Sequence, residues 1–112
     1  MDMSRALSAF GALGQETRLQ TVRLLVRAGC CGLRAGQIAA HLGIRHNLMS
    51  NHLNILSRAG LVRSERSGRT IVYRADFDAL RALVGYLVND CCAGLPEIVG
   101  TLEATDTVAA PA

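Results

Sequence analysis

Apolar residues recur at helical spacing along most of this chain, and the pattern is densest between Ala35 and Arg58. Ile38, Ala39 and Leu42 give a first segment an apolar edge, and Gly43 breaks it. Met49, Leu53 and Leu56 then follow at i, i+4, i+7, which predicts a second helix with one buried stripe. The other face of that helix carries Arg45, His46, Asn47, Ser50, Asn51 and Asn54, hydrogen-bonding side chains with no acid among them. Two helices joined at a glycine turn, the second with a polar face, make a helix-turn-helix pattern. An ordinary corner of two helices has the same spacing, so the flanking segments have to decide.

Before this centre, Met3 to Leu13 reads as a helix with Leu7, Phe10 and Leu13 on one stripe, ended by Gly14. Gln15 to Ala28 reads as a second, with Leu19, Val22, Leu25 and Val26 facing inward and Glu16, Arg18, Arg23 and Arg27 facing water. Gly29-Cys30-Cys31-Gly32 interrupts the chain, and Leu33-Arg34 is a stub of strand. Beyond the centre, Ala59-Gly60 closes the helix at a glycine cap. Residues 61–66 and 69–74 are strand-like runs, with Ser67-Gly68 as the hairpin turn between them. Asp76 is a good N-cap with Asp78 in the first turn, so a last helix starts there. Its stripe of Leu80, Val84, Leu87 and Cys91, widened by Leu83 and Val88, exceeds what a small monomer needs and predicts a second subunit packed against it; Gly94 and Pro96 end it. Residues 1–98 are expected to form one domain and residues 99–112 a flexible tail, periodicity being absent from Thr101 onward.

Charge changes the picture. All twelve cations are arginines, and all lie within residues 1–81 against five acids, a net +7; residues 82–112 hold four acids and no base. Residues 34–75 carry seven arginines and only Glu65, a net +6. A basic centre beside an acidic end is the layout of a nucleic-acid surface next to a region that stays off the duplex. A helix-turn-helix followed by a basic ribbon is a winged helix, mostly α with a small β-hairpin wing, and the ribbon tip offers Arg66 and Arg69 to phosphates, with Arg63 nearby. Arginines on a hairpin tip also serve simply to keep a surface soluble. The 112 residues hold four aromatic side chains, so the core is built of Leu, Val, Ile and Ala. No apolar run is long enough to span a membrane, and the N-terminus lacks a signal layout, which predicts a cytoplasmic protein.

Several separated motifs resemble the ArsR/SmtB family of bacterial metalloregulatory repressors. Ala12-Leu13-Gly14-Gln15-Glu16-Thr17-Arg18-Leu19 is similar to the family's ALGDPTRL opening. The segment from Ser50 to Val62 is similar to its S-x-H-L-x-x-L-x-x-A-G-L-V core, and the ribbon from Arg66 to Arg74 matches as well. The resemblance spans residues 5–98 in order and spacing. It implies a winged-helix homodimer joined through its first and last helices, which represses by binding double-stranded operator DNA and is relieved by an effector. Arg45, His46, Asn47, Ser50, Asn51, Arg66 and Arg69 are the expected DNA contacts.

The same resemblance directs attention to the effector. The family's last-helix zinc site needs histidine, and all three histidines here, His41, His46 and His52, lie in the helix-turn-helix. The older arsenic and cadmium site is a Cys-x-Cys segment entering the first helix of the motif, where this chain has Arg34-Ala35-Gly36. What remains is Asp90-Cys91-Cys92-Ala93-Gly94-Leu95-Pro96-Glu97, which is similar to the Cys-Cys-x-Gly-x-Pro-Glu tail of an arsenite-responsive branch. Soft thiolates select soft ions. The expected effector is therefore As(III) or Sb(III), as arsenite, antimonite or methylarsenite, bound by Cys91 and Cys92. The branch places a third cysteine after Pro-Glu, where this chain has Ile98-Val99. Either two sulfurs suffice, which suits an arsenical already holding one carbon, or Cys30 or Cys31 supplies another. Cysteine is also a common small core residue, and Cys91 falls on the apolar stripe. The alternative trigger on the same fold is redox or reactive sulfur, linking Cys30 or Cys31 to Cys91 or Cys92. An enzyme such as an arsenate reductase would need a Cys-x-x-Cys pair, a phosphate cradle and a base, none of which this sequence offers, so no catalysis and no catalytic cofactor are expected.

Overall fold

The structure, a computed structural model, describes residues 1–90. Helices α1 (Met3–Leu13) and α2 (Glu16–Ala28) are followed by a tight turn at Gly29–Cys31 and a two-residue strand β1 (Leu33–Arg34). Helices α3 (Ala35–Leu42) and α4 (His46–Arg58) form the helix-turn-helix, β2 (Val62–Ser67) and β3 (Thr70–Ala75) the ribbon, and α5 (Phe77–Gly85) runs into a wider helical turn at Tyr86–Asp90. The sheet is antiparallel in the order β1-β3-β2, so β1 adds a third strand to the ribbon. This is a winged helix-turn-helix, mostly helical, as the periodicity predicts.

Local chemistry explains the boundaries. The Asp2 side chain accepts from the Arg5 amide at 2.8 Å and starts α1; Gln15 does the same for α2 through the Arg18 amide at 2.9 Å. Gly43, at φ +67° with its N–H on the Ala39 carbonyl, ends α3 and opens the turn to α4. Asp76 caps α5 through the Ala79 amide at 3.0 Å. The strands sit one residue later than the sequence suggests. Ser67 pairs with Thr70, so Gly68 and Arg69 form the turn, with Gly68 at φ +63°. Just before β2, the Leu61 carbonyl accepts from the Asp76 amide at 2.9 Å, in register with the ladder, which closes the ribbon's base.

The core lies where α1, α2, α3 and α4 meet. Met49, Leu53 and Leu56 are fully buried with Leu25 and Ile38, as expected. Helix α1 differs from expectation: its buried residues are Ala6, Ala9 and Ala12, while Leu7 is 63% and Phe10 38% exposed. A face of alanines lets α1 approach its neighbours closely, and that turns the bulky side chains outward. Leu19 and Val26 on α2 are likewise exposed rather than inward, whereas Arg18 is half-buried rather than facing water. On α5, Leu83 is buried but Val84 is 57% exposed, and Leu87 beyond it is exposed as well. The Tyr86 hydroxyl donates to the Met3 Sδ at 3.5 Å, so the start of α1 lies beside the end of α5. The predicted continuation to Gly94 and the tail 99–112 fall outside the described residues.

Gly32 is the tightest point of the fold. Its φ is +64°, and a Cβ there would lie 2.6 Å from the Tyr73 carbonyl oxygen and 2.6 Å from a Val72 methyl. Glycine is needed for both the backbone conformation and the close approach of the cysteine turn to β3. Gly32→Ala is expected to destabilise the protein by about 2 kcal/mol or more. Gly36→Ala, on α3 with open space around it, should be neutral or stabilising by up to about 1 kcal/mol. Denaturant unfolding of the two variants checks the contrast.

Candidate nucleic-acid interface

Helix α4 is divided lengthwise. Its sealed stripe fixes its rotation, and this leaves His46, Asn47, Leu48, Ser50, Asn51 and Asn54 exposed together. Arg45, the residue before the helix, is exposed too. The Asn47 side chain accepts from the Leu48 amide at 3.0 Å, so its carbonyl end is turned back onto the helix start and its amide end is left to donate. Leu48, half exposed within this polar face, is a residue the polarity argument passes over; an apolar side chain there suits a thymine methyl.

The ribbon stands beside this face. Arg34, His46, Ser50, Arg69 and Tyr73 line one groove running from the start of α3 to the ribbon turn. Ser50, Asn51, Asn54, Ser57, Ser64 and Tyr73 line a second along α4. The structure thus brings His46, Ser50 and Arg69 together and places Asn51 next to them, while Arg66 lies on β2 opposite Ile71 and borders neither groove. Arg34 was missed by sequence reasoning. It lines the same groove because β1 pairs with β3 (Arg34 opposite Val72), a register invisible in linear order.

The ribbon's arginines divide into two sets. Arg74 pairs with Glu65, and Arg63 lies 3.9 Å from Asp76, so those nearer the base face acids. Among the described residues, Arg34, Arg45, Arg66 and Arg69 have no carboxylate partner. All four are exposed, and their charge is available to an external anion such as a phosphate.

One contact lies beneath this surface. The half-buried Arg18 donates from Nε to the Ala12 carbonyl at 2.7 Å, and its Nη1 lies 3.4 Å from His52 Nδ1 on α4. Partial burial, and then the neighbouring Arg18 charge, hold the His52 imidazole below its ordinary pKa.

Cys30 and Cys31 are free thiols, both exposed, in the turn between Gly29 and Gly32. They line neither of these two grooves. Cys30 borders a cleft of about 590 Å³ at the ribbon's base, with Arg63, Glu65, Arg74, Asp76 and Phe77. Among the described residues, no three His, Cys, Asp or Glu side chains converge as a metal site, and Cys91 and Cys92 lie outside those residues.

A family of helix-turn-helix domains matches residues 13–65, from the end of α1 into the ribbon. The HTH-type transcriptional regulator CmtR of Mycobacterium tuberculosis is 41% identical over 86 residues, 75% of this chain and 70% of that protein. The transcriptional repressor SdpR of Bacillus subtilis is 32% identical over 82 residues, 73% of this chain and 88% of that protein. An ArsR-like transcriptional regulator from Rhodococcus sp. RHA1 superposes with a TM-score of 0.70 at 30% identity, covering 95% of this chain and 93% of that one. No helix among the described residues is long and apolar enough to cross a membrane.

The lowered pKa of His52 makes stability depend on pH. On acidification below about pH 6.5 the unfolded chain takes up the proton before the folded one does, so folding loses free energy until the folded value is passed. The contribution is fully present above the ordinary imidazole pKa. Melting temperature is therefore expected to fall between about pH 7.5 and 5.5, and His52→Gln should flatten that fall; thermal scans across the range check it.

Proposed function

This chain belongs to the ArsR family of winged helix-turn-helix transcriptional regulators, and we propose that it is a homodimeric repressor that releases its operator when trivalent arsenic or antimony binds its cysteine thiols. The observation that carries the DNA half of this reading is α4's exposed polar face beside arginines that have no acid partner among the described residues. Asn47, Ser50 and Asn51 take base edges, while Arg45, Arg66 and Arg69 hold phosphates, with His46 at the start of the helix. Leu7 and Phe10 on α1 and Val84 on α5 are large apolar side chains left exposed on two helices that meet at Met3 and Tyr86. They supply the surface for a second copy. The dimer would then read two half-sites about 34–36 Å apart.

The effector half rests on the cysteines. Cys91 and Cys92 are the proposed ligands, and the exposure of Cys30 and Cys31 leaves a further sulfur accessible beside the ribbon. Each thiol that binds arsenite replaces one hydroxyl on arsenic, and water leaves. Methylarsenite has two hydroxyls to replace and needs only two thiols. Binding opposes repression to the extent that the effector prefers the dimer's DNA-free state. That same exposure also favours a second reading, in which an oxidant or polysulfide links Cys30 or Cys31 to Cys91 or Cys92.

Release of DNA from the wild-type protein and from Cys30→Ser and Cys91→Ser, titrated with arsenite, methylarsenite, cadmium, zinc and polysulfide, tests the trigger. Release by arsenicals that Cys91→Ser abolishes is the expected result. Release by polysulfide alone moves the assignment to the second reading, and responses unchanged in both variants remove the cysteines from sensing. Independently, Arg69→Ala should weaken operator binding and reduce the salt slope of log affinity by about one. An unchanged slope would take the ribbon turn off the duplex.

A further inference from the structure

We propose that Arg18 is a positioning residue that couples α1 to α4, its single guanidinium holding the last turn of one and the imidazole of the other. The inference rests on the reading of α1 as a dimer helix and α4 as the DNA reader. Ala12 is in the last turn of α1, where carbonyls have no partner within the helix, and Arg18 Nε donates to its oxygen at 2.7 Å. A cation suits the negative end of the helix dipole there. Nη1 of the same plane, 3.4 Å from His52 Nδ1, is the other end of the link. The fork is rigid, and both partners are set on it at once. Ala12 belongs to the buried alanine face of α1, whose reverse carries Leu7 and Phe10. His52 sits between Asn51, on the DNA-facing groove, and Leu53, in the core. A shift of α1 against a partner therefore reaches α4 through Arg18.

The link also has a chemical condition. A guanidinium only donates, so His52 Nδ1 must accept, and its imidazole must be neutral with the proton on Nε2. Protonation turns acceptor into donor and sets two cations side by side. Arg18 is the charged group that faces His52. The elements packed most extensively against α4 are α1, α2, α3 and β2. Arg5, His41, Arg63, Glu65 and Arg66 on them are all exposed to solvent, as are the other charged side chains of α2.

The test uses the full chain and a duplex selected by the wild-type protein from a random pool, with a scrambled duplex alongside. Arg18→Gln is expected to lower affinity for the selected duplex about tenfold, with little change for the scrambled one, whose binding is phosphate-driven. Adding His52→Leu to Arg18→Gln should cost nothing more, because the two residues act as one contact. The preference for the selected duplex should fall from about pH 7.5 to 5.5 in the wild type and fall less steeply in His52→Gln. A folded Arg18→Gln protein with wild-type preference, additive losses in the double variant, or a flat wild-type pH profile would each overturn the coupling. Should Arg18→Gln fail to fold, His52→Leu alone decides, since it removes the α4 end and leaves Arg18 on Ala12. A wild-type protein that selects no duplex sinks the DNA reading and this inference together; selection without an Arg18 effect sinks the inference alone.

Discussion

Helix α4 has to serve the core and the surface at once, and the rest of the molecule is arranged around that demand. Full burial of a side chain such as Met49, Leu53 or Leu56 contributes about 1.5–3 kcal/mol, a large share of the 5–15 kcal/mol that is roughly typical of whole-domain stability. The stripe cannot roll out of the core, so the polar face cannot roll away from the groove. Helices α1, α2 and α3 supply the other walls of that core, and Leu61 and Val62 bring the ribbon's base into it. The orientation of the DNA-facing residues is thus a by-product of packing.

The sequence made the centre of the fold legible because its two halves disagree so sharply in polarity. Met49, Leu53 and Leu56 leave one rotation for α4, and Gly43 and Gly60 mark its neighbourhood. The flanking helices were less readable. On α1, periodicity places Leu7, Phe10 and Leu13 on a stripe, but it does not say whether the stripe meets its own core or another molecule. The alanines, small enough to be overlooked, took the inner side. On α2, Thr21 joins Val22 and Leu25 on the inner side, and Leu19 and Val26 turn outward. Arg18 reads as one more surface cation in a helix of arginines, and its role depends on α1 and α4 arriving at either end of its side chain.

Of the candidate site, the α4 residues and the ribbon turn could be found from spacing alone. Arg34 could not, because its place follows from a strand pairing between residues far apart in the chain. The position of Cys30 is of the same kind. Gly32 lets the turn press against β3, and this puts one thiol at the ribbon's base, near Arg63 and Arg74 rather than near the duplex-facing grooves. The Cys30 thiol and the proposed DNA contact at Arg69 thereby lie at opposite ends of one ribbon, with β3 running between them. Covalent change at the turn would be felt first as strain on that strand.

The position of β2 at the edge of the sheet has a further bearing on the protein's behaviour in a crowded cell. An edge strand offers unpaired backbone groups to any other extended chain, and neighbouring copies are the commonest risk. After Val62 every side chain of β2 is exposed, and Arg63, Glu65 and Arg66 stud the strand with charge. Such a strand is a poor template for aggregation, because a copy laid alongside would have to strip the water from these charges. Arg66, proposed to reach for phosphate, is one of the charges that guard this edge, so a single side chain would serve DNA contact and protect the wing from pairing with its copies.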